Sequence, residues 1–110
     1  MDKVEKYREA IKKVITRYAN ITFAYGDIES QTIFDENRDH YVLMDVGWDK
    51  YRVHGSTIHI DIIDEKCWIQ YDGMETGVAD DLEAAGIPKE DIVLGFRPPE
   101  FRPLTGHAVA

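Results

Sequence analysis

His59 and Asp61 lie two positions apart in the run Ile58-His59-Ile60-Asp61-Ile62. On an extended strand such residues project from one face, so an imidazole and a carboxylate meet there, a pairing that suits zinc or iron. His54, and Asp45 across from it on the preceding strand, could join them. A metal centre of this kind needs three convergent ligands, and the spacing secures only two. Neither a metal nor a cofactor is therefore assigned, and the simpler reading is a half-buried His bonded to its neighbouring carboxylate.

Other chemistries find less support. Cys67 is the only cysteine; it falls on an apolar strand face and reads as an inert core thiol. Ser30 and Ser56 lack the Gly-x-Ser-x-Gly setting of a hydrolase nucleophile. No Gly-x-x-x-x-Gly-Lys-Ser/Thr or Gly-x-Gly-x-x-Gly loop is present to cradle phosphate. Asp35, Glu36, Asp39, Asp64, Glu65, Asp80 and Asp81 fall at loops and helix starts, where solvation and capping account for them. Trp48 is expected in the core. Trp68 shares a face with Asp61; it is either covered by the N-terminal helix or an interface aromatic, a role for which Trp is favoured.

These residues need elements to hold them. From residue 2 to about 19, Val4, Tyr7, Ile11, Val14, Ile15 and Tyr18 form one stripe at helical spacing. Asp2 is the expected cap, with Glu5 three positions on. From about residue 30 the period becomes two. Strands are expected over 30–35, 40–48, 51–63 and 67–71, joined by short polar turns into an antiparallel meander. With Asp64-Glu65 as a two-residue loop, Ile62 faces Cys67, Ile60 faces Ile69 and Ile58 faces Tyr71, while His59 faces Gln70 and Asp61 faces Trp68. A slip by one residue would mix the faces. With Asp49-Lys50 as the other loop, Trp48 faces Tyr51 and Val46 faces Val53, continued by Met44 and Val42, and Asp45 faces His54 beside Leu43, Tyr41 and Arg52. Thr76 is the expected cap of a helix over 77–85, ended by Gly86. A short helical turn over 88–94 follows, then a tail over 96–110 holding Pro98, Pro99 and Pro103 that is expected to run extended. The fold class is α+β: an N-terminal amphipathic helix, a four-stranded antiparallel meander, two short C-terminal helices and an extended tail.

The chain has 110 residues and reads as one domain over 1–110. At 44% apolar and 11% aromatic it is globular in composition. No apolar stretch approaches the ~20 residues of a membrane span. Met1 opens directly into Asp2, Lys3, Glu5 and Lys6, so no signal peptide is expected and the cytoplasm is the expected location. Twenty-one acidic residues against 13 basic give a net charge of −8. Affinity for DNA comes largely from Lys and Arg neutralising phosphates, so this balance argues against direct nucleic-acid binding and favours a basic protein partner.

A resemblance adds to this reading. Phe34-Asp35, Arg38-Asp39-His40-Tyr41, Val46-Gly47-Trp48, His54-Gly55, Ile58-His59-Ile60-Asp61-Ile62, Trp68-Ile69-Gln70 and Asp72-Gly73 resemble the XisI-type family, the fdxN element excision controlling factors. So does the very specific run Gly86-Ile87-Pro88-Lys89-Glu90-Asp91-Ile92-Val93-Leu94-Gly95-Phe96, and the ending Thr105-Gly106 with Ala108-Val109-Ala110. Glu65 stands where the pattern has a turn glycine, and His107 where it has an aromatic. The resemblance implies a cyanobacterial accessory protein paired with a nuclease-like XisH-type partner, in a system where a separate recombinase excises a DNA element. It carries no catalytic residues.

The expected function is therefore regulation of DNA recombination by protein binding, without catalysis. The alternatives are an antitoxin-like inhibitor of the same partner and a small metal-dependent hydrolase on His54, His59 and Asp61. The expected partner-binding residues are His54, His59, Asp61 and Trp68 on the mixed sheet face, Glu90 and Asp91 on the short helical turn, and Arg97 and Arg102 in the tail. An open sheet edge could also pair two copies.

Overall fold

The computed structural model describes residues 2–21, 27–74 and 77–110. Helix α1 spans Lys3–Ala19. Its cap is the expected one: Asp2 Oδ1 accepts the backbone N–H of Glu5 at 2.8 Å. Tyr7, Ile11, Val14 and Ile15 from the apolar stripe are buried against one face of a sheet.

Among the described residues that sheet has five strands in the order β1-β2-β3-β4-β5. β1 (Asp27–Asp35), β2 (His40–Asp49), β3 (Tyr51–Ile63) and β4 (Lys66–Asp72) form the antiparallel meander. The fifth strand corrects the sequence reading. The turn expected over 88–94 is a 3₁₀ turn only over Lys89–Asp91, and Ile92–Leu94 forms β5, parallel to β4 through the pairs Cys67–Ile92, Trp68–Val93 and Ile69–Leu94. Helix α2 (Val78–Ala84) lies within the crossover that makes this parallel pairing possible. The expected cap Thr76 lies outside the described residues. Among the described residues, Asp72 serves the helix start, its Oδ2 accepting the Val78 N–H at 2.8 Å.

The β3–β4 hairpin keeps its expected register near the turn, with Ile62 opposite Cys67, Asp61 opposite Trp68 and Ile60 opposite Ile69. Asp64 and Glu65 both take positive φ, 50° and 64°. The twist of such a turn matches that of the strands it joins, which outweighs the poor fit of Glu65. Beyond Ile60 an irregularity shifts the pairing, so Ile58 faces Asp72 and His59 faces Tyr71 rather than Gln70.

The β2–β3 hairpin departs further. Trp48 faces Arg52, Asp49 faces Tyr51 and Val46 faces His54, and a register shift follows Leu43. The core side of β2 is Tyr41 and Leu43, 0% and 2% exposed, not Val42 and Met44. Trp48 is 58% exposed, with the Arg52 guanidinium 5.4 Å from its ring centroid. The physical reason is reach: the buried residues of β2 and β3 stop at Leu43 and Ile58, and the hairpin projects beyond the helix that closes the core. Gly47 belongs to that projecting part, where a Cβ would lie 1.9 Å from the Asp27 carbonyl oxygen of β1.

The core joins Tyr7, Ile11, Val14 and Ile15 of α1, Val78 and Leu82 of α2, and Tyr41, Leu43, Ile58, Ile60, Ile62, Cys67, Ile69, Ile87 and Ile92. The tail is not wholly extended. Pro99–Leu104 forms a 3₁₀ helix, and the Ala108 N–H donates to the Ile92 carbonyl at 2.9 Å beside a parallel bridge from Ala108 to Val93.

Candidate functional site

Alternation along β3 sends Ile58, Ile60 and Ile62 into the core and turns His59 and Asp61 to the opposite face. Asp61 is 7% exposed. Its Oδ1 accepts two ring N–H groups, from His59 Nε2 at 2.8 Å and from His40 Nδ1 at 2.8 Å. Its Oδ2 accepts from Gln70 Nε2 of β4 at 3.2 Å. A buried carboxylate is costly unless its acceptors are satisfied, and three donors from three strands satisfy this one. The two imidazole rings meet edge to face, 6.4 Å between centroids. The hydrogen bond to Asp61 holds the His40 imidazole above its usual pKa.

His40 is the residue that strand counting missed. It opens β2 and pairs with Asp61 across the sheet. Its signal was available in the register, had the pairing of β2 with β3 been carried back to the Asp39 turn. His54 does not join the group: it is exposed and lies opposite Val46, toward the projecting end of the hairpin. Asp45 is engaged elsewhere, accepting from Ser30 at 2.8 Å and Thr57 at 2.7 Å. Among the described residues, His40, His59 and Asp61 form a group whose ligand atoms all lie within 4.8 Å of one another, which makes them the residues able to share a metal ion.

Trp68 lies beside this group, half-buried on the face away from α1. The tail covers it rather than the helix. Arg102 stacks its guanidinium 5.1 Å from the Trp68 ring centroid. Gly95 lets the chain pass close by, since a Cβ there would lie 3.0 Å from Gln70 Oε1 and 3.1 Å from Trp68 Cε3. Arg102 is also tied to the tail itself, donating to the carbonyls of Arg97 at 3.1 Å and Val109 at 3.3 Å. Arg97 is exposed, 5.2 Å from the ring centroid of its neighbour Phe96.

The two acidic residues of the 3₁₀ turn separate. Glu90 is exposed, whereas Asp91 is buried and accepts from the Tyr7 hydroxyl and from Lys3 Nζ at 3.0 Å. Burial pushes the Asp91 carboxyl up, but the bonds from Tyr7 and Lys3 outweigh it and leave the group below its ordinary value. Asp91 thus ties the C-terminal region to α1. A parallel tie holds the β1–β2 turn: Arg8 of α1 grips Asp39 through Nε at 2.8 Å and Nη2 at 3.2 Å, and Tyr41 donates to Asp39 at 2.9 Å. The Arg8 bond is the main cause holding Asp39 below the usual carboxylate range. Cys67 is fully buried, and desolvation pushes its thiol up to about 12.

The family model described as XisI protein matches residues 1–109. A crystal structure of a XisI-like protein from Anabaena variabilis superposes with a TM-score of 0.89 at 41% identity, covering 97% of this chain and 99% of the other. The fdxN element excision controlling factor XisI from the same organism gives 0.85 at 36% identity, covering 99% of this chain and 100% of the other. A comparison with curated proteins finds no match. Agreement over the full chain, in sequence and in fold, places this protein in the XisI family.

Proposed function

We propose that this chain is an accessory protein that regulates site-specific excision of a DNA element by binding a basic, nuclease-like protein of the XisH type, and that it does no catalysis of its own. The observation that carries the reading is the end-to-end likeness, at 36% identity, to an excision controlling factor. The net charge of −8 supports a protein partner over bare DNA. The buried, high-pKa Cys67 thiol is a poor nucleophile, in keeping with a binding role.

Glu90, Arg97 and His54 are exposed, and Arg102 is presented over Trp68. Asp91 and Asp61 are buried, so they shape the surface from beneath. A negatively charged protein meeting a basic one gains chiefly in association rate, and salt erodes that gain. The test is co-purification of the pair followed by association kinetics in low and high salt. Complex formation whose on-rate falls at least about tenfold with added salt is expected. Failure of the pair to associate, or an on-rate indifferent to salt, would sink the reading.

A further inference from the structure

We propose that His40, His59 and Asp61 form a binding site for one divalent transition-metal ion, with Zn²⁺ the ion that fits best. The inference goes beyond the partner-binding reading and does not depend on it.

Three features carry it. The first is convergence. Two imidazole nitrogens from different strands point at the same carboxylate oxygen, each 2.8 Å away, and all three ligand atoms lie within 4.8 Å of one another. In a tetrahedral zinc site with bonds of about 2.0–2.1 Å, neighbouring ligand atoms sit about 3.3 Å apart. Opening the two 2.8 Å contacts, with the two ring nitrogens drawn from within 4.8 Å to the same spacing, admits an ion among the three atoms. To bind it, each ring turns a lone pair to the ion, so the proton it now directs at Asp61 passes to its other nitrogen or to solvent.

The second feature is the outer support. Gln70 Nε2 holds Asp61 Oδ2 at 3.2 Å, which fixes the carboxylate and leaves Oδ1 for the shared position. Such outer partners orient the ligands in established metal sites. The third is charge. Asp61 is 7% exposed, and among the described residues its hydrogen-bond partners are His40, His59 and Gln70, with no Lys or Arg side chain paired to it. A buried carboxylate is stabilised by a cation, and a metal ion would supply one. His40 is half-exposed, its side chain 51% accessible, so the site opens to solvent. Three protein ligands leave the fourth tetrahedral position for water.

The experiment uses the full chain without a His tag, stripped with chelator and titrated with ZnCl₂ at pH 7 by calorimetry, with Co²⁺ visible absorption as a second readout. One equivalent of Zn²⁺ and a tetrahedral Co²⁺ spectrum are expected. His40→Ala and His59→Ala should each lower affinity by more than the ~10–100-fold that loss of an outer partner costs, and Gln70→Ala should fall within that range. His54→Ala and His107→Ala should bind like the parent. Circular dichroism establishes that each variant is folded; should Asp61→Asn unfold, the half-exposed His40 still decides the question. Absence of stoichiometric binding, binding that survives His40→Ala and His59→Ala together, or binding lost on His54→Ala would each overturn the site and leave a hydrogen-bonded triad.

Discussion

The two faces of this sheet are made by the same strands, yet they do different work. On the α1 face, Ile58, Ile60 and Ile69 are 0% exposed and meet Ile11 and Ile15 of the helix, also 0% exposed. On the other face, one residue along, His59 and Gln70 bond Asp61, and Trp68 meets Arg102 of the tail. The first face is held by burial, which is non-directional and grows with apolar area. The second is held by directed bonds: three donors on Asp61 and one cation over Trp68. The lesson is that β3 serves both faces by alternating Ile with His and Asp, so the two faces can change separately.

That division can be broken or sharpened by mutation. The largest effect is expected for Ile69→Ala, which empties a fully buried position in the core and should cost about 2–5 kcal/mol in urea unfolding. A cost under about 1 kcal/mol would mean the α1 face is not the main source of stability.

A smaller effect is expected for Arg8→Ala, at the rim of the same face, and it should depend on pH. Arg8 lowers the Asp39 pKa from its ordinary 3.8 in the folded chain. A lowered folded pKa contributes stability above the unfolded value, lost as pH falls through the folded one. The variant should therefore be less stable than the parent at pH 7, by a fraction of the Ile69→Ala cost. The gap should close as pH falls below about 3.8. Urea melts at pH 7 and pH 3 check this; a gap that stays constant would remove Asp39 from the account.

The smallest effect is expected for Arg102→Ala on the open face. Losing this half-buried cation–π contact should cost about 0.5–1 kcal/mol. The change should show mainly as altered Trp68 fluorescence, best read in a Trp48→Phe background because Trp48 is exposed on the projecting hairpin. Unfolding by Arg102→Ala would show that the tail closes a second core.

How much was legible follows from how clearly each segment separates its faces. α1 was readable because its stripe leaves one apolar side. The inner half of the β3–β4 hairpin was readable because a shifted register would have buried His59 and Asp61 among isoleucines. β2 was not. Tyr41 and Leu43 on one side compete with Val42, Met44 and Trp48 on the other, so alternation alone cannot choose the core face. The shift after Leu43 also breaks the simple counting on which the hairpin was built. Of the candidate site, His59 and Asp61 were found by their strand spacing, while His40 was lost with the β2 register and His54 was wrongly joined to them.

The sequence by itself determined the helix and its cap, the antiparallel meander, the strong negative charge and the family, because these rest on local periodicity, composition and contiguous motifs. Tertiary structure decided that Ile92–Leu94 is a fifth, parallel strand, that the tail rather than the helix covers Trp68, and that His40 completes the Asp61 group. Each of these depends on contacts between residues more than 20 positions apart in the chain. Such contacts are set by how the elements pack and leave no period in the local sequence.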